Sequence, residues 1–263
     1  MVIGITILFS LNLIIMQPII SLITITFNSQ ETIQSTLDSI FNQSFQDFEH
    51  IIIDGGSSDN TLNIIENHDI KTSKLISEKD NGIYDALNKG IRESKGRYIG
   101  ILHSDDIFFS NETLNLISKE LISSEPDILY GNLKYTSRKS YSKIIRNWNP
   151  GNFSKYKLHL GWMPPHPSFY IKRSLCSQEK TFNTNFKISS DYDFMIRSLT
   201  KKNIIVSYID ECIVLMRLGG ESNKSIKNLI IALKEDIVSM QNNKIFWPTA
   251  IILKKLSKLK QFL

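Results

Sequence analysis

Residues 50–59 read His-Ile-Ile-Ile-Asp-Gly-Gly-Ser-Ser-Asp, and this short stretch contains a complete transition from strand to helix. The apolar run predicts a buried strand that ends at Asp54. The Gly-Gly pair predicts a tight turn, and the Ser and Asp side chains after it supply oxygens that can cap a helix through Ile64 and Ile65. A strand followed at once by a helix is the repeating unit of an α/β protein.

The same unit recurs on both sides of this stretch. Upstream, residues 19–25 are almost continuously apolar, as expected for a parallel strand buried on both faces, and residues 30–42 carry apolar side chains at helical spacing. Downstream, two further strands and two further helices are predicted, at residues 74–77 and 97–102 and at residues 83–93 and 111–123. The pattern therefore predicts an α/β fold with a mostly parallel central sheet flanked by helices.

The pattern becomes mixed beyond residue 123. It predicts strands at residues 128–131, 134–148, 204–208 and 213–218, a loop at 161–167, and helices at 191–201 and 224–240. The chain ends in an amphipathic helix predicted from Pro248. No linker rich in Gly, Ser or Pro divides the chain, so residues 16–222 are interpreted as one α/β domain and residues 223–263 as a helical C-terminal region with a basic tail.

Residues 1–15 are apolar but have no Lys or Arg at their start, so they lack the positive region of a signal peptide. Gln17-Pro18 interrupts the run before it reaches the roughly 20 apolar residues of a membrane span. We expect an extension that precedes a natural start at Met16. A short segment that dips into the membrane is the alternative.

Composition excludes several classes of protein. Among 263 residues, 41% are hydrophobic and 22% are charged, which is ordinary for a globular domain and unlike collagenous, disordered or polytopic membrane proteins. Cys176 and Cys212 have no CxxC spacing, so neither a disulfide scaffold nor a zinc site is indicated, and a reducing, cytoplasmic setting is expected.

The net charge of +5 is unevenly placed, because residues 244–263 hold five lysines and no acid while residues 1–243 hold 26 basic and 26 acidic residues. A nucleic-acid partner is not expected, since such a protein carries its positive patch on the folded body. The tail helix is predicted to place apolar side chains in one arc, with three lysines outside it: Ile251, Ile252, Leu256, Leu259, Phe262 and Leu263 against Lys254, Lys258 and Lys260. This pattern favours an anionic membrane surface on the cytoplasmic side. Packing of the same stripe on the domain or on a partner subunit is the alternative.

Three acidic positions follow strands or begin a helix, where an open α/β sheet forms its binding crevice. Asp54 can accept hydrogen bonds from a ligand, or it can end its strand as an Asx turn. The run 103–106, His-Ser-Asp-Asp, can hold a hard divalent cation, or it can form the turn before the next helix. Asp191 and Asp193 both favour the positive end of the helix they begin, and one of them can serve as a general base.

Five segments together resemble glycosyltransferase family 2 in their order and approximate spacing, over about residues 17–220. They are residues 24–28 (TITFN), 51–61 (IIIDGGSSDNT), 77–90 (SEKDNGIYDALNKG), 96–106 (GRYIGILHSDD) and 190–197 (SDYDFMIR). The resemblance implies a GT-A fold, an inverting transfer of a sugar from a nucleotide-sugar donor, and a divalent cation, Mn²⁺ or Mg²⁺, as cofactor.

The resemblance also implies a role for particular residues. Asp191 is expected to be the catalytic base, and Asp105 the metal-binding acid, with Asp106 and His103 beside it. His166 is expected to contact the acceptor or a phosphate, with a structural loop histidine as the alternative. The expected donor-binding residues are Thr26, Asn28, Asp54, Asp80, Gly82, Asn88, Gly90 and Ser104.

Two positions depart from the family's usual pattern. His103 stands where the metal motif often begins with Asp, which removes one negative charge and favours Mn²⁺ over Mg²⁺ as the cation. Ser190 stands where Glu often precedes the base, and this change leaves Asp191 intact. In addition, residues 219–222 (Gly-Gly-Glu-Ser) can form a lid or a plain turn, and Arg197 is expected to brace the helix of Asp191 by a salt bridge.

The sequence thus predicts a metal-dependent glycosyltransferase that acts on a glycan or lipid-linked acceptor in the synthesis of a surface polysaccharide or glycolipid. A sugar nucleotidyltransferase is one rival, but it would need a Gly-rich basic loop after the first strand, where this chain has residues 26–29, Thr-Phe-Asn-Ser. A module that binds sugar nucleotides without catalysis is the other rival, and His103 keeps it open.

Overall fold

The computed structural model describes residues 17–177, 180–219 and 225–260. The strands are β1 (Ile20–Thr26), β2 (Phe48–Asp54), β3 (Lys74–Ser77), β4 (Tyr98–Ile101), β5 (Ile107–Phe108), β6 (Ile128–Ser137), β7 (Ser140–Trp148), β8 (Phe169–Lys172) and β9 (Val206–Arg217). The α-helices are α1 (Ile33–Phe41), α2 (Thr61–Glu66), α3 (Ile83–Glu93), α4 (Thr113–Ser123), α5 (Lys155–Leu158), α6 (Ser190–Leu199), α7 (Ile226–Asn242) and α8 (Trp247–Lys260).

The strands of the described chain form one sheet in the order β3-β2-β1-β4-β8-β6-β9-β5, with β7 also paired to β6. From β3 to β4 every pair is parallel, because each strand is followed by a helix that returns the chain to the same edge. In the second half, β8 is antiparallel to both of its neighbours and β6 is parallel to β9. The predicted α/β class, with a mostly parallel first part and a mixed second part, is confirmed.

The parallel half matches its prediction closely. Strand β3 and helix α3 have the predicted bounds, and the other elements of this half differ from prediction by a few residues at their ends. Here β1 and residues 50–54 of β2 are buried, so periodicity alone is a strong signal.

The mixed half corrects three predictions. The strands predicted at residues 204–208 and 213–218 are one strand, β9, whose register shifts opposite Gly131–Leu133 and interrupts the expected alternation. The strand predicted at 134–148 is broken by a turn, because β6 continues to Ser137 and β7 begins at Ser140. Strands β5 and β8 were not predicted; they are only two and four residues long.

The C-terminal helices pack on the domain, and the side chains that α8 turns outward differ from the predicted ones. A Cβ on Gly161 would lie 2.2 Å from the Ala250 carbonyl oxygen, so α8 approaches the 161–167 loop at backbone contact. Lys254 was predicted to point away from the apolar side, but it turns inward, where its Nζ lies 2.7 Å from an Asp236 oxygen and 3.3 Å from the centre of the Tyr192 ring. Ile252 and Leu256 point outward and are more than half exposed. The prediction was wrong for Lys254 because backbone contact at Gly161, invisible in the helical pattern, sets the rotation of α8.

Some predictions fall on residues that are not described. Residues 1–15, the 220–222 part of the suggested lid, the side chains of residues 258–260, and residues 261–263 lie outside the described chain. Within residues 17–177, 180–219 and 225–260, no helix combines the length and the apolar character that a membrane span requires.

Candidate active site

The carboxyl ends of β1, β2 and β4 meet at one edge of the sheet. Thr26 is paired in register with Asp54, and the backbone N–H of Gly55 donates to the Thr26 carbonyl at 2.9 Å. Three of the segments identified in the sequence, around residues 24–28, 51–61 and 96–106, therefore converge as parallel topology requires. The Thr26 hydroxyl is buried and has no hydrogen-bond partner among the described residues.

Asp54 holds the turn that follows its strand. One carboxylate oxygen accepts from the N–H groups of Gly56 and Ser57, at 3.0 and 2.9 Å, and from the Ser77 hydroxyl at 2.7 Å. The other oxygen accepts from the Ser57 hydroxyl. Asp54 is fully buried, so these four bonds satisfy a charge that would otherwise be costly. The Asx-turn interpretation describes this geometry, and any contact with a ligand would have to share these oxygens.

Asn28 links the loop after β1 to the loop after β2. Its backbone is in the left-handed region, with φ of 48°, which Asn tolerates better than most residues. Its backbone N–H donates to the Ser57 hydroxyl at 2.8 Å, and its side-chain oxygen accepts from the Ser58 N–H at 2.9 Å. The neighbouring hydroxyls of Ser29 and Ser104 lie 2.9 Å apart, which ties the same loop to the acidic turn.

Asp80 and Phe27 border the same turn from two sides. A Cβ on Gly55 would lie 2.6 Å from an Asp80 carboxylate oxygen and 3.4 Å from the Phe27 ring, so only glycine leaves the room observed here. The Phe27 ring is 61% exposed. Asp80 also accepts from the N–H of Gly82, whose φ of 104° begins helix α3. An exposed aromatic ring beside two carboxylates can receive a flat, hydrogen-bonding group.

Asn88 and Gly90 are placed for packing rather than at the crevice. Both ends of the Asn88 amide bond the backbone of Phe182, the N–H at 2.9 Å and the carbonyl at 2.8 Å. A Cβ on Gly90 would lie 2.6 Å from the Ile23 side chain, so glycine allows helix α3 to rest on β1. Both residues therefore have packing partners within the fold, Asn88 at Phe182 and Gly90 at Ile23.

The acidic turn places two adjacent carboxyl groups in different surroundings. Asp105 is partly exposed, whereas Asp106 is 1% exposed. One Asp106 oxygen accepts from the Arg217 N–H at 3.2 Å, and the other is buried with no hydrogen-bond partner in the described chain. Burial, and then the Asp105 charge, raise the pKa of Asp106 well above its ordinary value. Asp105 is thus the carboxylate that is available to a ligand.

Two histidines meet beside this turn. The ring centres of His103 and His166 are 5.7 Å apart, and the His166 ring also meets Phe182 edge-on at 6.1 Å. The pKa of both imidazoles is lowered to about 4, chiefly by burial; for His103 the neighbouring His166 contributes to the lowering, while Asp105 and Asp191 oppose it. Both rings are therefore neutral at pH 7. The His166 Nε2 is buried without a partner among the described residues.

Asp191 lies in the first turn of α6. Burial raises the pKa of its carboxyl group, while the positive charge of Lys254 lowers it and Asp236 opposes Lys254. Asp193, the other acid of this helix, points elsewhere: it accepts from Ser239 at 3.0 Å and from Arg197 at 2.6 Å. The expected bracing of α6 by Arg197 is confirmed, and its partner is Asp193.

Sequence reasoning missed Tyr135, Arg146 and Arg217. Tyr135 is paired with Arg146 across β6 and β7, and the Arg146 guanidinium lies 3.7 Å from the centre of its ring. Burial raises the pKa of Tyr135, the Arg146 guanidinium opposes this shift, and the charges of Asp106 and Asp191 add to it. No local pattern marks these residues, since only the pairing of β6 with β7 and β9 brings them to the crevice.

The residues present fit a hard divalent cation that is completed by substrate oxygens. No group of three His, Cys, Asp or Glu side chains within the described residues forms a closed metal site. Mg²⁺ and similar cations are commonly held by one or two carboxylates together with substrate phosphates, and the partly exposed Asp105 beside the neutral His103 supplies such a donor set.

The sheet, its helices and the acidic turn after β4 define a GT-A glycosyltransferase fold. The crystal structure of Staphylococcus aureus TarS 1–349 in complex with UDP-GlcNAc is similar with a TM-score of 0.64 and 19% identity, covering 89% of this chain and 70% of that one. The chain spans 40% of a longer TarS structure. The mannosyltransferase PcManGT from Pyrobaculum calidifontis, in complex with GDP-Man and Mn²⁺, is similar with a TM-score of 0.60 and 17% identity, covering 90% of this chain and 74% of that one.

The family is shown by the sequence. The profile described as Glycosyl transferase family 2 matches residues 21–188, more than half of the chain, so the chain belongs to this family. A PGL/p-HBAD biosynthesis glycosyltransferase of Mycobacterium tuberculosis (strain ATCC 25177 / H37Ra) is 28% identical over 214 residues, 78% of this chain and 80% of that protein. The Escherichia coli UDP-Glc:alpha-D-GlcNAc-diphosphoundecaprenol beta-1,3-glucosyltransferase WfgD is 27% identical over 146 residues, 51% of this chain and 57% of that protein. The chain is a glycosyltransferase with relatives in glycolipid and polysaccharide biosynthesis.

Proposed function

We propose that this glycosyltransferase inverts the sugar it transfers, from a nucleoside-diphosphate donor to a hydroxyl of a glycan or lipid-linked acceptor. The observation that supports this most is the position of Asp191, a partly buried carboxyl group in the first turn of α6, whose pKa is raised by burial and lowered by the nearby His103 of the acidic turn. The named acceptor of WfgD, a sugar on diphosphoundecaprenol, agrees with a lipid-linked acceptor.

The nucleoside of the donor binds at the ends of β1 and β2. The exposed Phe27 ring and the carboxylates of Asp54 and Asp80 offer a flat apolar surface with acceptors for N–H and hydroxyl groups beside it. Asn28 keeps this pocket in shape by joining the two loops. Asn88 and Gly90 act indirectly, because they fix α3 against Phe182 and β1.

Asp191 acts as the general base. Its carboxylate takes the proton of the acceptor hydroxyl as that oxygen attacks the anomeric carbon from the face opposite the leaving diphosphate. One carbon–oxygen bond forms while the bond to the phosphate breaks, so a single displacement inverts the configuration. The neutral His103 and His166 rings lie beside this path and can donate or accept a hydrogen bond without adding charge.

Asp105 and His103 are the residues that would hold Mn²⁺ or Mg²⁺. When bound, the cation supplies positive charge that stabilises the leaving diphosphate. Asp106 supports this turn from behind, because its carboxyl group is buried against the Arg217 backbone.

The rival functions make different predictions. A sugar nucleotidyltransferase needs a basic, Gly-rich loop after β1, and here Asn28 and Ser29 use their polar groups to join neighbouring loops. A non-catalytic module binds donor without turnover.

A screen of UDP-, GDP- and dTDP-sugars for metal-dependent release of nucleoside diphosphate, with and without a lipid-linked acceptor, separates these cases. We expect release that is stimulated by acceptor. Donor binding without release would support the non-catalytic module.

We also propose that the protein works on the cytoplasmic face of a membrane and attaches through α7 and α8. Several apolar side chains of these helices point outward and are half exposed or more: Ile226, Leu229, Ile230, Ile252 and Leu256. Exposed lysines lie among them: Lys227, Lys234 and Lys255. The two acids of α7 turn inward, since Glu235 accepts from the backbone N–H groups of residues 187–189 and Asp236 pairs with Lys254. The outward surface is therefore apolar and basic, which suits anionic lipid.

Flotation with phosphatidylglycerol vesicles tests this attachment. The variant I252E/L256E should lose vesicle binding, because it adds two charges to the outward face of α8 without touching the inward residues. The matched control I122E/I205E alters two isoleucines that are similarly exposed on other elements, and it should float like the unmodified protein. Equal flotation of all three proteins would exclude α8 as the attachment site.

A further inference from the structure

The segment that leads into α6 is held by one side chain of α7. Three consecutive backbone N–H groups converge on the Glu235 carboxylate: that of Lys187 donates to Oε1 at 2.7 Å, and those of Ile188 and Ser189 donate to Oε2 at 2.9 and 2.8 Å. Successive N–H groups that surround an anion in this way form a nest. Here the anion is a side chain of the fold itself, and we call residues 187–189 together with Glu235 the α6 clamp.

The helix itself cannot satisfy these donors. The backbone hydrogen bonds of α6 begin with the N–H of Asp193, which donates to the Ser189 carbonyl at 3.0 Å, so the three N–H groups that precede the helix have no acceptor within it. A carboxylate suits them because it has two acceptor oxygens and a charge, and hydrogen bonds to a charged acceptor are stronger than those between neutral groups. An amide in the same place would turn its own NH2 group toward one of the three donors. The α6 clamp therefore depends on a carboxylate.

The same face of α7 holds α6 on both sides of the proposed base. Ala232 and Ser239 lie three and four residues from Glu235, so these residues share one face of their helix. The Ala232 carbonyl accepts from the Ser189 hydroxyl at 3.2 Å, and the Ser239 hydroxyl donates to an Asp193 oxygen at 3.0 Å. The proposed base lies between these two attachment points, two residues from each.

We infer that Glu235 is a positioning residue for sugar transfer: it fixes the backbone that enters α6 and, through it, the direction of the Asp191 carboxyl group. This inference rests on the proposed function, because Glu235 acts only through the base of that reaction. A base must lie within hydrogen-bond reach of the proton that it takes, and a displacement of about 1 Å can cost on the order of 10²-fold in rate. Helix α7 follows residues 21–188, which match the family profile, so a part of the chain beyond that match supplies this contact.

Turnover of Glu235→Ala tests the inference, with the nucleotide sugar that the screen of UDP-, GDP- and dTDP-sugars identifies. We expect kcat to fall by about 10- to 100-fold, because the segment entering α6 loses its acceptor. Affinity for the same nucleotide sugar, measured by calorimetry, should stay within about twofold, since the N–H groups that Glu235 holds do not belong to the nucleoside loops. Glu235→Gln keeps the size of the side chain and should also lower kcat, so it carries the test if Glu235→Ala does not fold.

Glu49→Ala is the matched control. The Glu49 carboxylate also accepts from two consecutive backbone N–H groups, those of Lys95 and Gly96, and both glutamates are partly buried. It stands at the start of β2, whereas the site lies at the carboxyl ends of the strands. Glu49→Ala should therefore lower the free energy of unfolding, as Glu235→Ala does, but keep kcat within about twofold.

Two further measurements separate positioning from a general loss of structure. If Glu235 acts through the base, Asp191→Asn/Glu235→Ala should turn over no more slowly than Asp191→Asn alone, because no base remains to be positioned. Exchange of the backbone N–H groups of residues 187–189 with deuterium should be faster in Glu235→Ala and unchanged in Glu49→Ala. The exchange measurement requires no turnover.

Three results would overturn the inference. Normal kcat in both Glu235 variants would show that the α6 clamp does not position the base. Losses that multiply in the double variant would show that Glu235 acts independently of Asp191. A loss of donor affinity as large as the loss of kcat would make Glu235 a structural residue of the whole domain. Failure of the proposed function is a different result, namely full transfer by Asp191→Asn.

Discussion

Two buried carboxyl groups at strand ends contrast the parallel half of the sheet with the mixed half. Asp54, in the parallel half, accepts four hydrogen bonds from its own turn and from Ser77. Asp106, in the turn that leads from β4 into β5 of the mixed half, accepts one long hydrogen bond from the Arg217 backbone and keeps one oxygen without a partner among the described residues. Asp54 is therefore satisfied by its own turn, whereas the turn at Asp106 is completed only by the distant strand β9.

The largest effect should follow from Asp191→Asn, which removes the proposed base from the mixed half. General-base catalysis is typically worth 10²- to 10⁴-fold, so turnover should fall on the order of 10³-fold. Donor affinity should stay close to that of the unmodified protein, because the base acts on the acceptor. Kinetics of sugar transfer and calorimetry with the donor measure the two quantities separately.

Asp193→Asn is the matched control for this comparison, because it changes a second carboxyl group of the same helix turn. It loses the ion pair with Arg197 and should reduce stability while keeping most of the turnover. Retention of normal transfer by Asp191→Asn would leave Asp191 with only a role at the helix N-terminus.

The next effect concerns Asp105, the exposed carboxylate of the acidic turn. Asp105→Ala should weaken donor binding and lower turnover, on the order of 10²-fold, because a cation that stabilises diphosphate supplies several kcal/mol. The loss should depend on Mn²⁺ or Mg²⁺, and EDTA should reduce the unmodified enzyme to a similar rate. Full activity of the unmodified enzyme in EDTA would remove the metal role of both Asp105 and His103.

A smaller effect separates the two buried carboxyl groups directly. Asp54→Asn replaces one multiply bonded oxygen with an amide and should lower the free energy of unfolding by about 2 kcal/mol. Asp106→Asn should leave it unchanged or raise it at pH 7. The pKa of Asp106 is raised in the folded state, so the unfolded chain ionises first as the pH rises, and the folded state loses stability relative to an uncharged side chain. Urea unfolding at pH 7 and at pH 3 measures the free energy of unfolding of each variant. Any gain in stability of Asp106→Asn over the unmodified protein at pH 7 should vanish at pH 3, where Asp106 is protonated in both the folded and the unfolded state.

The parallel half was predictable because each of its elements is specified by its own sequence. Continuous apolar runs, helical spacing and turn residues determined β1 to β4, and the motif segments fell at their ends. The mixed half depends on pairing between distant strands, so β8, the hairpin and the continuous β9 were missed or misdivided. Tyr135 and Arg146 were missed for the same reason. Asn88 was predicted to bind the donor because of its motif, but its amide forms hydrogen bonds with the Phe182 backbone.

The rotation of α8 about its axis also could not be predicted from local sequence, and the consequence is clearest at Lys254. A helical wheel orders side chains around a helix, but it does not say which side meets the domain. Contact of Ala250 with Gly161 fixes this side, and it brings Lys254 beside Tyr192 and Asp236. A lysine that was predicted to be a solvent or lipid contact thereby becomes a neighbour of the proposed base.

The smallest effect should follow from Lys254→Met, which removes this neighbouring charge. Lys254 favours the ionised form of Asp191 against the effect of burial, so its loss should raise the pKa of Asp191 further, and Asp236, now unpaired, acts in the same direction. Since the base must be ionised, activity is lost as the pH falls through this pKa, and the acidic limb of the kcat profile should move to higher pH. At pH values well above the limb, kcat should be nearly unchanged. Lys254→Arg keeps the charge and should restore the original limb, whereas a profile that is identical for Lys254→Met and the unmodified enzyme would show that α8 has no electrostatic influence on the base.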